Sequence, residues 1–300
     1  MKRLLAPLFG FLVAVMLVGR AGATTIEFDG LERQFEMYVP PTAPRPLPVV
    51  LLLHGGTSTA EQIRRYTGFD ALAAREGILA VYPQGVAGQW NDGRPQTGMP
   101  HPLTADTDDV GFLLALVDEL VGHGLADPRR IYVAGIASGG MMALRLACEH
   151  PERIAAAAVV AANQPSELNC TPTRPVPMIF FHGTRDRFVP FGGGDILQWA
   201  NVDRGKVLSA HDTVEQWRKI DGCTGEPNTH RVGASGAVAV DLVTYEPCSG
   251  AEVRHFVMKG GGHTWPGAHQ GPAGDKLLGP AAGINANEEI WKFFDAQPPR

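Results

Sequence analysis

Lysine and arginine are few in this chain of 300 residues, 26 against 31 aspartates and glutamates, and the net charge is −5. A nucleic-acid-binding protein would show a basic patch or stripe, so this balance argues against such a partner. No two of the four cysteines form a C-x-x-C pair, which argues against a zinc site, and no motif implies a cofactor. Internal repeats and a linker to a substrate-binding domain are also lacking. With 44% apolar residues, the chain is predicted to form one globular domain over residues 24–300.

The first 23 residues are predicted to be a secretory signal peptide and not part of the fold. Lys2 and Arg3 form a short positive region, residues 4–18 are largely apolar, and residues 21–23 fit a small-x-small cleavage pattern. The alternative, a membrane anchor, is disfavoured because the apolar run is shorter than the roughly 20 residues of a spanning helix. We therefore expect cleavage after Ala23 and a secreted monomer, extracellular or periplasmic, without membrane contact.

The four cysteines are expected to form two disulfides, because an even number in an oxidising compartment favours cross-links. Three pairings are possible from sequence. We favour pairing neighbours along the chain, Cys148 with Cys170 and Cys223 with Cys248. The alternative is that some of them are free buried thiols.

Strand and helix patterns alternate along the chain. Short apolar runs predict strands, and the longest, residues 49–53, is typical of a strand buried on both faces. This alternation predicts an α/β fold, a mostly parallel sheet with helices on both faces and functional groups at the carboxyl ends of the strands. The predicted strands span residues 49–53, 78–82, 130–135, 154–160, 178–181 and 253–258, and the predicted helices after the elbow described below span residues 139–148, 211–220 and 287–294.

An acidic cluster precedes another predicted helix. Asp106 is expected to cap that helix, with Asp108 and Asp109 in the first turn, where carboxylates favour the helix dipole. The alternative is a calcium loop that begins at Asp106. Gly111 satisfies the sixth position of such a loop, but Val117 stands at the twelfth, where a bidentate glutamate belongs. We therefore expect no metal here.

The segment after the strand at residues 130–135 has the form of a nucleophile elbow, G-x-S-x-G. Gly135 and Gly139 have the required spacing about position 137, but position 137 is alanine. Ser138 is the alternative nucleophile. In that register Ile136 would occupy a glycine position, for which a β-branched side chain is a poor fit. We expect Ser138 to contribute its backbone N–H to an oxyanion hole and to point its side chain away from the substrate.

Two later strand ends supply a carboxylate and an imidazole. Asp186 follows the strand at residues 178–181, and His263 stands between three glycines and a Thr-Trp-Pro-Gly stretch. Taken alone, Asp186 would be a loop cap and His263 would carry little meaning. The chain order of elbow, aspartate and histidine matches α/β-hydrolases and not the other serine-protease orders. The pattern indicates a serine-hydrolase triad whose nucleophile position holds Ala137.

The motif at residues 54–57 is predicted to complete an oxyanion hole. The backbone N–H of Gly56 or Thr57 would face the oxygen that becomes negative, and each such donor contributes about 3 kcal/mol. His54 is expected to be a structural histidine at the strand end.

Three aromatic residues are candidates for a substrate-binding cleft, with ordinary packing as the alternative: Trp90, Phe191 and Trp265. Such a cleft suits a feruloyl ring, a sugar face or a hydrophobic polyester equally. The aromatic residues therefore do not choose among these substrates.

The chain resembles the secreted polyhydroxybutyrate depolymerase and feruloyl/acetylxylan esterase group of α/β-hydrolases. The resemblance covers nearly the whole mature chain and rests on residues 53–56, 108–112, 135–142, 182–186 and 260–267. It implies an α/β-hydrolase fold and a carboxylic ester substrate, with Asp186 and His263 as triad members. The family's serine would fall at Ala137.

Ala137 leaves three hypotheses open. The chain is an esterase inactivated at this position, or a pseudoenzyme that binds an ester or polysaccharide without hydrolysing it, or an active esterase that uses Ser138. Without an oxygen to acylate, the triad loses nearly all its catalysis, on the order of 10⁶ in rate. We favour the first two hypotheses over the third, and a short-chain or aromatic acyl ester as the substrate.

Overall fold

The computed structural model describes residues 24–95, 107–197, 203–268 and 270–300, so the predicted signal peptide and Asp106 lie outside the described residues. The described strands are β1 (Thr24–Phe28), β2 (Leu31–Tyr38), β3 (Leu47–Leu53), β4 (Leu79–Pro83), β5 (Ala126–Ile136), β6 (Ala156–Val160), β7 (Met178–Gly183), β8 (Gly194–Asp195), β9 (Lys206–Val207), β10 (Asn228–Ser235), β11 (Val238–Thr244) and β12 (Val253–Lys259). The described helices are α1 (Ala60–Thr67), α2 (Phe69–Glu76), α3 (Asp109–Gly122), α4 (Ser138–Glu149), α5 (Ala210–Ile220), α6 (Gly271–Leu278) and α7 (Ala286–Asp295).

Ten of these strands form one sheet in the order β1-β2-β4-β3-β5-β6-β7-β12-β11-β10, and β8 pairs with β9. The central strands from β4 to β12 are parallel. Antiparallel pairs extend the sheet at both edges. The predicted mostly parallel sheet is therefore confirmed, and the carboxyl ends of β3, β5, β7 and β12 lie along one side of it.

Helices cover both faces of the sheet because alternate residues of the central strands point to opposite sides. Along β3, Val49, Leu51 and Leu53 join a core with α3, α4 and α5. Val50 and Leu52 join a second core with α1, α2 and α7. The unbroken apolar run of β3 results from this double burial.

The acidic cluster differs from its predicted role. Helix α3 is capped by Asp108, whose side chain accepts from Gly111 N at 2.7 Å, so the expectation that Asp108 lies within the first turn is wrong. Asp109 is fully buried and pairs with Arg33 at 2.6 Å. It also accepts from Asn91 N at 2.7 Å. The cluster thus supplies one helix cap and one buried ion pair that ties α3 to β2.

Both expected disulfides are present, Cys148–Cys170 and Cys223–Cys248. The first joins α4 to the loop after β6, and the second joins the loop after α5 to the loop before β12. No helix within the described ranges is long and apolar enough to cross a membrane. Across those same residues, no group of three or more His, Cys, Asp or Glu side chains is placed to hold a metal ion.

Candidate active site

The turn between β5 and α4 holds Ala137 in a strained conformation, with φ 53° and ψ −123°. A positive φ is uncommon for a residue other than glycine, and such strain clusters at functional sites. An added Cβ at Gly135 would lie 2.2 Å from Gly139 O, and one at Gly139 would lie 2.3 Å from Leu53 O. The two glycines therefore allow strand and helix to approach closely. Residue 137 is the apex of the elbow, and Ser138 is the first residue of α4.

Asp186 and His263 meet above the carboxyl ends of β7 and β12, which are neighbouring parallel strands. His263 Nδ1 lies 2.7 Å from Asp186 Oδ2. The other carboxylate oxygen accepts from the backbone N–H groups of Phe188 at 2.8 Å and Val189 at 2.9 Å. These bonds fix the carboxylate, and the carboxylate fixes the orientation of the imidazole.

The electrostatics of this pair favour an ionised aspartate. Burial of the Asp186 carboxyl opposes ionisation, but the positive charge of His263 and the hydrogen bonds from His182 and His263 outweigh it and hold the pKa of Asp186 below its ordinary value. His182 Nε2 lies 3.4 Å from Asp186 Oδ2. Asp186 is thus an anionic anchor for His263 Nδ1, as a triad acid must be.

One cleft of about 100 Å³ brings these parts together, because Ala137, His263, Ser138 and Gly56 all line it. Asp186 lies behind His263 and does not line the cleft. The other lining side chains are mainly apolar, with one amide and two guanidinium groups, and they are Met141, Phe188, Val189, Ile196, Leu197, Gln89, Arg94 and Arg204. The elbow and the imidazole therefore line the same cleft.

Gly56 and Ser138 line the cleft and have backbone N–H groups without a backbone acceptor among the described residues. Gly56 N–H has no acceptor among the backbone groups that the structure describes. Ser138 N–H, in the first turn of α4, has no acceptor within its own helix. Thr57 does not fit its expected role, because its N–H already donates to Gly88 O at 2.8 Å.

Comparison with known proteins shows which family the chain belongs to. The family described as Esterase PHB depolymerase matches residues 33–167. The putative esterase NocK of Nocardia uniformis subsp. tsuyamanensis is 35% identical over 267 residues, covering 82% of this chain and 76% of that protein. The chain belongs to the PHB depolymerase esterase family. The resemblance found in the sequence is therefore confirmed.

Other members of the family are longer than this chain. Feruloyl esterase B of Piromyces equi is 30% identical over 234 residues, which are 74% of this chain and 40% of that protein. The chain thus spans less than half of that relative. Among solved structures, the acetyl xylan esterase from Aspergillus awamori has a TM-score of 0.60 at 16% identity and covers 88% of this chain and 94% of its own. That likeness shows the α/β-hydrolase fold.

Ser138 lines the cleft, but its Oγ is buried and has no hydrogen-bond partner among the described atoms. The expected orientation of its side chain, away from the substrate, stays a prediction. An added Cβ at Gly56 would lie 3.5 Å from this oxygen and 3.2 Å from Gln89 Oε1. Ser138 Oγ therefore lies beside Gly56 and is not exposed in the cleft.

His54 is structural, in line with its expected role. Its Nε2 accepts from Gly85 N at 3.0 Å, and its Nδ1 lies 2.8 Å from Gly55 O. Burial lowers the pKa of His54 to about 4, although the bond to Gly55 acts in the opposite direction. The neutral ring therefore holds the loop that carries Gly56.

The predicted aromatic cleft is wrong for both tryptophans. Trp90 is 0% exposed and donates to His54 O, and Trp265 is 1% exposed and donates to Asn287 Oδ1. Phe191 is half-buried and stacks on His255 at 6.2 Å, away from the cleft lining. The aromatic residue of the cleft is Phe188, whose ring lies 5.0 Å from that of His263. Phe188 follows Asp186 by two residues, and this proximity to the predicted triad acid could have indicated it as a cleft residue.

Proposed function

We propose that this chain is a serine-esterase scaffold that binds carboxylic esters and, with Ala137 at the apex, hydrolyses them feebly or not at all. The observation that carries the proposal is the methyl group of Ala137 in the strained elbow conformation, in the cleft that His263 lines. The residues that we assign to the rest of the machinery, Gly56, Ser138 and His263, line the same cleft.

A serine at position 137 would be served by the residues already described. His263 would take the hydroxyl proton, with its Nδ1 held by Asp186 at 2.7 Å. The hydroxyl oxygen that Ala137→Ser introduces would attack the ester carbonyl, and the alcohol would leave with the proton from the imidazole. The negative oxygen of the tetrahedral intermediate would face the N–H groups of Gly56 and Ser138. Water would then release the acid by the same route.

Alanine removes the first of these steps and leaves the rest. Because triad members act as a unit, the missing oxygen reduces the rate by a factor on the order of 10⁶. The oxyanion donors still stabilise direct attack by water, which sustains residual hydrolysis of roughly 10³-fold over solution. Binding of the ester does not depend on the missing oxygen and is expected to persist.

The alternative that Ser138 is the nucleophile has one supporting observation, a buried Oγ without a hydrogen-bond partner in a residue that lines the cleft. A nucleophile needs a hydrogen bond to its base. No such bond joins Ser138 to His263 in the described structure. Ser138 also lacks the strained backbone that presents a nucleophile, because positive φ occurs at Ala137. We therefore assign Ser138 to the oxyanion hole.

Hydrolysis of p-nitrophenyl acetate and butyrate tests the assignment. We expect near-background rates from the chain and from Ser138→Ala, and a gain of at least about 10³-fold in Ala137→Ser. Adding His263→Ala to Ala137→Ser should abolish that gain. Activity in the chain that Ser138→Ala removes would show that the nucleophile is Ser138. A folded but inactive Ala137→Ser that retains polysaccharide binding would favour a binding module.

The proposed substrates are short or aromatic acyl esters, supported by the small size of the cleft and by the apolar side chains of Phe188 and Met141 in its lining. Feruloyl, acetylxylan and hydroxyalkanoate esters, which the names of the relatives mention, are the first to try. We further propose secretion after cleavage at Ala23. Its support is the leader pattern and the two disulfides, which persist in oxidising compartments.

A further inference from the structure

The charged groups of the cleft are all of one sign. Arg94 and Arg204 line it, and no aspartate or glutamate does so among the described residues. The whole chain carries a net charge of −5, so this local excess of positive charge runs against the composition. Asp92, which does not line the cleft, forms an ion pair with Arg94.

Arg94 is neutralised and has a positioning role. Its Nε and Nη2 donate to the two oxygens of Asp92 at 2.9 and 2.6 Å, and both side chains are buried. Its Nη1 donates to Arg204 O at 2.7 Å. Gly205, with φ +77°, places its backbone close enough that an added Cβ would lie 3.2 Å from Arg94 Cβ. The Asp92–Arg94 pair thus holds the backbone of residue 204 against the cleft.

Arg204 itself is not neutralised. None of the acids in the described ranges forms an ion pair with it, and its Nε is buried without a hydrogen-bond partner. Arg204 as a whole is half-buried, but a buried N–H without an acceptor is costly, and native structures usually satisfy such groups. The planar guanidinium fork matches a carboxylate through two parallel hydrogen bonds. The missing partner is therefore expected to come from a bound molecule.

We propose that Arg204 binds a carboxylate carried by the ester substrate itself, so that the cleft prefers monoesters of dicarboxylic acids, or other acyl groups with a free carboxylate, over neutral esters. This inference rests on the proposed ester-binding function. Its geometric basis is that Arg204 lines the same small cleft as Ala137 and His263, so one ligand contacts all three. The apolar side chains Met141 and Phe188 accommodate the carbon chain between the two ends.

Ala137 allows binding to be measured without turnover. Calorimetry on the chain as it stands compares monoethyl glutarate with ethyl pentanoate, which differ only in a carboxylate in place of a methyl group. Because hydrogen bonds to charged groups are the strong ones, we expect the monoester to bind about tenfold to a hundredfold more tightly. Arg204→Gln should bring the two affinities to near equality, and Arg204→Lys should retain part of the difference.

Arg174→Gln is the matched control, because it changes net charge equally at an exposed site in the loop before β7, at the amino ends of the strands and away from the cleft. It should leave the preference unchanged. The same comparison in Ala137→Ser uses kcat/KM for mono-4-nitrophenyl glutarate and 4-nitrophenyl pentanoate. If Ala137→Ser hydrolyses neither ester, the proposed function fails, and the calorimetry still decides the role of Arg204.

Three results would overturn the proposal. Equal affinities of the unaltered chain for the charged and neutral esters would mean that Arg204 does not bind a carboxylate on the substrate. A preference that survives in Arg204→Gln would place the anion site elsewhere. If free acetate bound as tightly as the monoester, Arg204 would be a site for small anions and not part of substrate recognition.

Discussion

The elbow predicts that the smallest possible side chain at position 135 severely destabilises the protein. In Gly135→Ala the new methyl carbon would lie 2.2 Å from Gly139 O, 2.3 Å from Gly139 C and 2.7 Å from Gly140 N. All three are backbone atoms at the start of α4, so no rotamer change relieves the overlap and α4 itself has to move. We expect a loss of about 3 kcal/mol or more in the free energy of unfolding.

The measurement is thermal unfolding followed by far-UV circular dichroism with both disulfides intact. For a chain of this size a loss of about 3 kcal/mol lowers the melting temperature by roughly 6–12 °C. Gly122→Ala is the control, because its added methyl meets nothing within 4 Å in α3 and should stabilise the helix by about 0.5–1 kcal/mol. If Gly135→Ala were as stable as that control, strand and helix would not approach this closely. The placement of Ala137 at the apex would then be wrong.

The triad, a buried carboxyl group and the leader each give a further prediction. In the Ala137→Ser background, Asp186→Asn should lower kcat about 10⁴-fold at pH 7 because the imidazole loses its anionic anchor, and a loss under tenfold would contradict the triad. Burial raises the pKa of Asp221 to about 8, against the bond from Val176 and the charge of Arg300. Its protonated form stabilises the fold fully below about pH 4, and this stabilisation is lost as the pH rises through about 8, so Asp221→Asn should raise the melting temperature at pH 8.5 but not at pH 4. Mass spectrometry of the exported protein should find Thr24 at the N-terminus, and an intact leader would refute the predicted cleavage.

The proposed triad positions could be predicted from the sequence because each of them lies next to a recognisable local motif. Gly135 and Gly139 lie where two backbones approach closely. Only glycine fits such a position, so the glycine spacing in the sequence indicates it. Asp186 and His263 follow strands, and parallel strands bring their carboxyl ends together whatever the distance along the chain. Both disulfides pair neighbours along the chain, and each closes a segment that includes strands of the sheet, β6 for Cys148–Cys170 and β10 with β11 for Cys223–Cys248.

The roles of residues that contact a partner distant in the sequence could not be predicted. Thr57 has the sequence position of an oxyanion donor, but Gly88 O, thirty-one positions on, occupies its N–H. Asp109 looks like an ordinary first-turn carboxylate until Arg33 is placed against it. Trp90 and Trp265 have the size and chemistry of cleft residues, and only the packed structure shows that both indole N–H groups face inward. No sequence motif marks Arg204, because its proposed role rests on the absence of an ion-pair partner among the described residues, which only the structure shows.

The conformation of the elbow does not depend on a serine. Ala137 keeps φ 53° while its N–H donates to Val160 O at 3.0 Å and its carbonyl accepts from Met141 N at 2.9 Å. These hydrogen bonds and the close backbone contacts at the two flanking glycines hold Ala137 at a positive φ, and its own side chain is not needed for this. An oxygen added by Ala137→Ser therefore enters a backbone already shaped for it, and restoring the nucleophile requires no rearrangement of strand or helix. For the same reason, the glycine spacing located the apex in the sequence even though the side chain that gives the apex its chemistry is missing.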